Sequence, residues 1–190
     1  MTEPHRPTDT PTEDSALRIM MVCTGNICRS PMAEVVLRDR LEAAGLADRV
    51  VVDSTGVSSE EHGNPMDRRA RAVLAAAGYA DRALDGHHAR QVQAADLGAR
   101  DLVLPMTAAH ASALRRLAER SGQPGSAGDI LMFRTFDPAA PATRGRDDEH
   151  LLDVDDPWYG GPGDFEDCLA QVEASVDGVV EWARVRLGRG

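Results

Sequence analysis

Cys23 and Arg29 stand six positions apart in the stretch Val22-Cys23-Thr24-Gly25-Asn26-Ile27-Cys28-Arg29-Ser30-Pro31, which brings a soft nucleophile and a permanent cation onto one short loop. An apolar run, Leu17 to Val22, precedes the loop and an amphipathic segment follows it, so it reads as a junction between a strand and a helix N-terminus. Backbone N–H groups in such a turn, and those of the first helical turn, converge with partial positive charge on a point that suits a dianionic phosphoryl group. A helix N-terminus and a nearby cation lower the pKa of a thiol from its usual value of about 8.5, so Cys23 is expected as a thiolate. Arg29 can hold two oxygens of a transferring group bidentately. Ser30 can donate to the sulfur or cap the helix, and Pro31 suits the first helical position. A nucleotide-binding loop of the Walker type is excluded, because it needs a lysine and all 21 basic residues here are arginine.

Breaking a phosphate monoester through a thiolate requires a proton for the departing oxygen, hence a carboxylic acid nearby. Asp155-Asp156-Pro157-Trp158-Tyr159-Gly160 offers one, with a proline to fix the backbone and two aromatic rings that can wall a pocket and stack on an aromatic leaving group. Cys28 is either a packing residue or a partner that traps an oxidised Cys23 reversibly. Cys168 belongs to an apolar helix face and is read as core. The six histidines show no metal-ligand spacing, so no metal and no cofactor is expected. The pairs Arg68-Arg69 and Arg115-Arg116 read as solvated helix faces.

These groups must be positioned by alternating strands and helices. Leu17 to Val22 is the first strand, and Ala33, Val36, Leu37, Leu41 and Ala44 recur at helical spacing up to Gly45. Arg49 to Asp53, with three consecutive valines, reads as a strand covered on both faces. A helix from about Asp67 to Ala77 stops at Gly78, and a third strand runs from Asp101 to Met106. Thr107 can cap a helix to about Arg120, broken by Ser121-Gly122-Gln123-Pro124-Gly125. Asp129 to Arg134 is the fourth strand. Thr135 to Asp164 is too long for an ordinary connection and is a candidate functional loop. A last helix, about Asp164 to Leu187, buries Phe165, Cys168, Leu169, Val172, Val176, Val179 and Ala183. The pattern predicts an α/β fold: one three-layer domain over 16–190, with a four-stranded parallel sheet and helices on both faces. Residues 1–15 are expected to be a disordered tail and not a signal peptide. Ligands of such sheets bind beyond the carboxyl ends of the strands, where Cys23, Asp53-Ser54, Thr107 and the acidic loop all fall.

With 42% hydrophobic residues over 190 positions, the chain can bury a full core. Its net charge of -10 argues against nucleic-acid and anionic-membrane partners. Three cysteines do not describe a disulfide-stapled secreted domain, so a reducing, cytoplasmic setting is expected, and nothing in the pattern calls for more than a monomer.

The ten residues from Val22 to Pro31 resemble the active-site signature of the low-molecular-weight protein tyrosine phosphatases, and Asp156-Pro157-Trp158-Tyr159 is similar to that family's general-acid loop. The resemblance spans Arg18 to the C-terminus, apart from 138–150. It implies Cys23 as nucleophile, Arg29 as phosphate clamp and Asp156 as acid, with Thr24, Gly25, Asn26, Ile27 and Cys28 around the phosphate. By the same resemblance Asn26 holds the loop, Ser54 braces Asn26, Ser30 supports the thiolate, Glu34 and His87 form a polar pair behind the loop, and Trp158 and Tyr159 wall the pocket. Thr107 stands where the family commonly has an aspartate, and Val57 to His62 is more acidic than the apolar wall usual there. The implied activity is hydrolysis of protein phosphotyrosine. The alternatives are a phosphoarginine phosphatase, disfavoured by isoleucine at Ile27, and a phosphate-binding regulatory module without turnover. Arsenate reduction needs a relay of cysteines in a flexible segment, which Cys168 does not supply.

Overall fold

In the computed structural model β1, Leu17–Cys23, is the central element, paired in parallel on one side with β2, Val50–Gly56, and on the other with β3, Leu102–Pro105. The structure describes residues 16–79, 86–122 and 129–188; the 1–15 tail and the Gln123-Pro124-Gly125 break lie outside them. A short fourth strand, β4, Asp129–Ile130, completes a sheet of order β2-β1-β3-β4. Side chains of β1 alternate between two cores. Ile19, Met21 and Cys23 face one that includes Phe133 and Phe165, while Met20 and Val22 face another built with Leu97 and Leu114. The first core lies under α1, Arg29–Ala43, α2, Arg68–Ala76, and α5, Pro162–Leu187. The second lies under α3, Ala94–Gly98, and α4, Ala108–Arg120. Full burial of Phe133 or Phe165 contributes roughly 2–3 kcal/mol each.

The chain leaves β1 toward β2 on one side and later returns to build β3 on the other, so the order reverses at the carboxyl end of β1. That is where a parallel sheet opens a crevice, and it is where Cys23 stands. The register places Cys23 beside Gly56 and Met21 beside Ser54.

Several expectations need correction. Val51 is 44% exposed, because β2 is an edge strand and the core under α3 and α4 does not extend over it. The fourth strand ends at Ile130 instead of Arg134, since Met132 and Phe133 turn inward into a 3-10 helix, Phe133–Phe136, that packs against α5. The segment around Asp96 is helical, its first turn closed by the Asp96 carboxylate accepting from the Gln93 amide at 2.7 Å. Pro31 is the third residue of α1, still inside the turn whose N–H groups have no intrahelical acceptor. Asp164 does not start α5; its carboxylate reaches back to the Gly161 amide at 2.7 Å. Within the long connection, Arg146–Leu152 is a 3-10 helix held against α4 by Arg115, which grips both oxygens of Glu149 at 2.6 and 2.7 Å. Arg115 is therefore not a solvated surface residue. Thr107 caps α4 as expected, accepting from the His110 amide at 3.2 Å. No helix among the described residues is long and apolar enough to cross a membrane.

Gly56 is constrained by contact. A Cβ there would lie 2.4 Å from the Thr24 carbonyl oxygen and 3.0 Å from the Asn26 amide nitrogen, both of them backbone atoms that cannot step aside. Gly56→Ala is expected to destabilise the fold by about 1–3 kcal/mol, read as a lower urea midpoint at unchanged slope.

Candidate active site

Two donors reach the sulfur of Cys23, the Asn26 amide at 3.3 Å and the Ser30 hydroxyl at 3.0 Å. Ser30 thus serves the sulfur and not the helix cap, a position occupied by Cys28. The first turn of α1 carries no acidic side chain, so its partial positive charge faces the loop uncompensated. Burial, with Asp67 nearby, pushes the Cys28 thiol upward, and burial pushes the Cys168 thiol up to about 12. All three cysteines are free.

The loop takes its shape from Asn26, the one non-glycine residue of positive φ among those described, at 61°. Its side-chain amide donates to Ser54 Oγ at 2.8 Å and Ser30 Oγ at 3.0 Å, and its Oδ1 accepts from the Arg90 amide at 3.0 Å. Its carbonyl meets His87 Nε2 at 2.6 Å. Arg90 is itself held by Asp53 at 2.6 Å and Asp96 at 3.0 Å, and Asp53 also binds Arg100 at 2.6 Å. Glu34 does not pair with His87; its ion pair is with Arg38 at 2.6 Å, one helical turn on, although Glu34 and His87 line the same recess behind the loop.

Arg29 is 4% exposed. Its Nη1 donates to the Val154 carbonyl at 3.1 Å and its Nη2 to Thr24 Oγ1 at 3.1 Å and Asp156 Oδ2 at 2.5 Å. Nε is buried and unpartnered among the described residues. The other Asp156 oxygen accepts from the Trp158 amide at 3.1 Å and caps the 3-10 turn Pro157–Tyr159. Cys23, Arg29 and Asp156 line one cleft with Ile27, Trp158 and Tyr159, joined by Glu60 and Glu61 from the acidic stretch after β2. No residue of 138–150 lines it. Among the described residues no cluster of His, Cys, Asp or Glu could hold a metal ion.

The chain matches the family model described as low molecular weight phosphotyrosine protein phosphatase over residues 18–186. It belongs to that family. A low molecular weight protein-tyrosine-phosphatase of Streptomyces coelicolor is 46% identical over 167 residues, 88% of this chain and 93% of that one. Low molecular weight protein-tyrosine phosphatase A of Mycobacterium tuberculosis is 39% identical over 173 residues, 91% of this chain and 95% of its own. Among solved structures, YfkJ from Bacillus subtilis aligns with a TM-score of 0.76 at 27% identity, covering 92% of this chain and 99% of that one. The four-stranded parallel α/β fold is thus the fold of the low molecular weight phosphatases.

Two residues near this phosphatase site were not legible in its sequence pattern. Arg69 is not a solvated face residue: it holds backbone carbonyls of the Asp156 turn. His110, in the first turn of α4, places Nε2 2.9 Å from Thr24 Oγ1, completing a chain from α4 through Thr24 to Arg29. The signal was its position three residues after the cap of a helix that begins at the site's edge of the sheet.

Burial, and next the charge of Arg29, lower His110 from its ordinary 6.5 to about 4. The folded state therefore refuses a proton that the unfolded chain accepts, and stability falls as pH drops from 6.5 toward 4, with no further loss from this group below that. The loss amounts to about 3 kcal/mol. In His110→Asn, chemical denaturation between those pH values should show a shallower fall than in wild type, and a fall of equal slope would contradict the buried neutral imidazole.

Proposed function

We propose that this chain is a phosphoric monoester hydrolase that removes phosphate from protein phosphotyrosine through a cysteinyl-phosphate intermediate. The observation that carries this reading is that Cys23, Arg29 and Asp156 line one cleft, with Arg29 Nη2 on the Asp156 carboxylate. In the first step the Cys23 thiolate attacks phosphorus and the bond to the tyrosyl oxygen breaks. That oxygen takes the proton of Asp156, and the phenol leaves. In the second step the Asp156 carboxylate removes a proton from water, whose oxygen attacks phosphorus; the S–P bond breaks with its electrons returning to sulfur, and phosphate departs. Arg29 and the loop amides stabilise the charge of both transition states. A phosphoryl dianion displaces Asp156 from Arg29 Nη2, which turns the carboxyl toward the leaving oxygen.

The tyrosine ring sets phosphorus deep enough to reach a thiolate at the cleft floor, which the shorter phosphoserine does not. Ile27, Trp158 and the exposed Tyr159 give the cleft, which the acidic Glu60 and Glu61 also line, an apolar and aromatic side on which an aryl ester can rest. We assign Thr24, Gly25 and Cys28 to the phosphate cradle and Ser30, Ser54 and His87 to its support, a reading that the hydrogen bonds of the last three with Asn26 and Cys23 favour. We place the enzyme in the cytoplasm, where its three free, buried thiols stay reduced.

Burst and steady-state release of p-nitrophenol test the reading. Cys23→Ser should lose the burst and all turnover, and Asp156→Ala should slow turnover by about 10²–10³-fold. Phosphotyrosine should compete better than phosphoarginine; the reverse order would favour a phosphoarginine phosphatase. A wild type without burst or turnover would leave a phosphate-binding module.

A further inference from the structure

Arg68 and Arg69 open α2 side by side in different surroundings. Arg68 is exposed, whereas the guanidinium of Arg69 has a partner for each of its nitrogens. Its Nε donates to Asp67 Oδ1 at 3.1 Å and its Nη2 to Asp67 Oδ2 at 3.2 Å, a bidentate hold on the N-cap carboxylate of its own helix. Nη1 reaches across to the carbonyls of Trp158 at 3.1 Å and Gly160 at 3.4 Å. The guanidinium carbon also lies 5.2 Å from the centre of the Trp158 ring and 4.6 Å from that of Phe165, so the cation contacts one ring of the turn and one of the α5 core. At the other end of this connection, the Asp67 amide donates to the Ile27 carbonyl at 2.8 Å, inside the loop that carries Cys23 and Arg29.

We propose that Arg69 is the positioning residue of the general-acid turn: it holds Pro157–Tyr159 to α2 and thereby sets where Asp156 stands relative to Cys23. The proposal rests on the reading of Asp156 as the acid. The turn needs such a hold because Trp158 is 40% and Tyr159 92% exposed. Asp156 follows Trp158 through its bond to the Trp158 amide, so a turn that drifts carries the carboxyl with it. Arg69 touches neither Arg29 nor Cys23 through any of these bonds. Its effect therefore falls on proton delivery to the leaving oxygen and leaves phosphoryl binding alone. Lysine cannot replace it, because an ammonium lacks the flat fork that meets a carboxylate, two carbonyls and two rings at once.

The experiment compares kcat/KM for dinitrophenyl phosphate, whose leaving oxygen needs little protonation, with that for phenyl phosphate, whose phenol has a pKa of about 10 like tyrosine. Wild type, Asp156→Ala, Arg69→Gln and Arg69→Lys are measured, together with inhibition by inorganic phosphate. Both Arg69 variants should lose about 10–30-fold on phenyl phosphate, less than about threefold on dinitrophenyl phosphate, and leave phosphate inhibition within about twofold of wild type. Equal losses on the two esters, full activity in Arg69→Lys, or phosphate affinity falling in step would overturn the proposal while leaving the acid assignment intact, provided Asp156→Ala discriminates between the esters. Absence of discrimination in Asp156→Ala would overturn both. Should Arg69→Gln fail to fold, Arg69→Lys, which keeps the charge at α2, decides the matter by the same ratios.

Discussion

The left-handed backbone of Asn26 is the constraint on which the site depends. With the chain turned at Asn26, the amide of that residue reaches the Cys23 sulfur at 3.3 Å, and a residue other than glycine pays about 1–2 kcal/mol for that conformation. Four hydrogen bonds to Asn26 offset the cost, and they come from α1, β2 and the segment that carries His87 and Arg90. Asp53 and Asp96 extend the bracing by gripping Arg90. The loop that carries Cys23 and Arg29 is thus the apex of a polar network whose base lies on three separate segments, with Gly56 bare beside it so that the loop can approach β2.

Charge is handled locally and against the global balance. A chain of net charge -10 buries the Arg29 guanidinium beside the loop that carries Cys23. His110 contributes a hydrogen bond to Thr24 without a second buried cation, since burial and Arg29 together keep its ring neutral. Glu60, Glu61 and Asp156 line the same cleft as Arg29, so carboxylates surround the one buried cation among the described residues.

The two halves of the chemistry have separate supports. Arg29 is placed by Thr24, by the Val154 carbonyl and through Thr24 by His110. Asp156 is placed by its own turn and by Arg69. Residues 138–150, part of the connection read as a candidate functional loop, pack on α4 through Arg115 and Glu149, and none of them lines the cleft.

The sequence by itself determined whatever is local: the strand, loop and helix around Cys23 and Arg29, the Asp156-Pro157 turn, the Thr107 cap, and the apolar face of α5. Periodicity and capping act over a few residues, so they can be read without a partner. Tertiary structure decided the rest. Val51 became exposed because strand order left β2 at an edge; β4 shortened because Phe133 found a core under α5. Glu34 chose Arg38, one helical turn away, over His87. Arg69, Arg115 and His110 carried no local mark of their roles, because an arginine or histidine on a helix looks the same whether it meets water or a distant protein group. Their partners lie 34 to 91 positions away, and only the packing of layers brings those positions together.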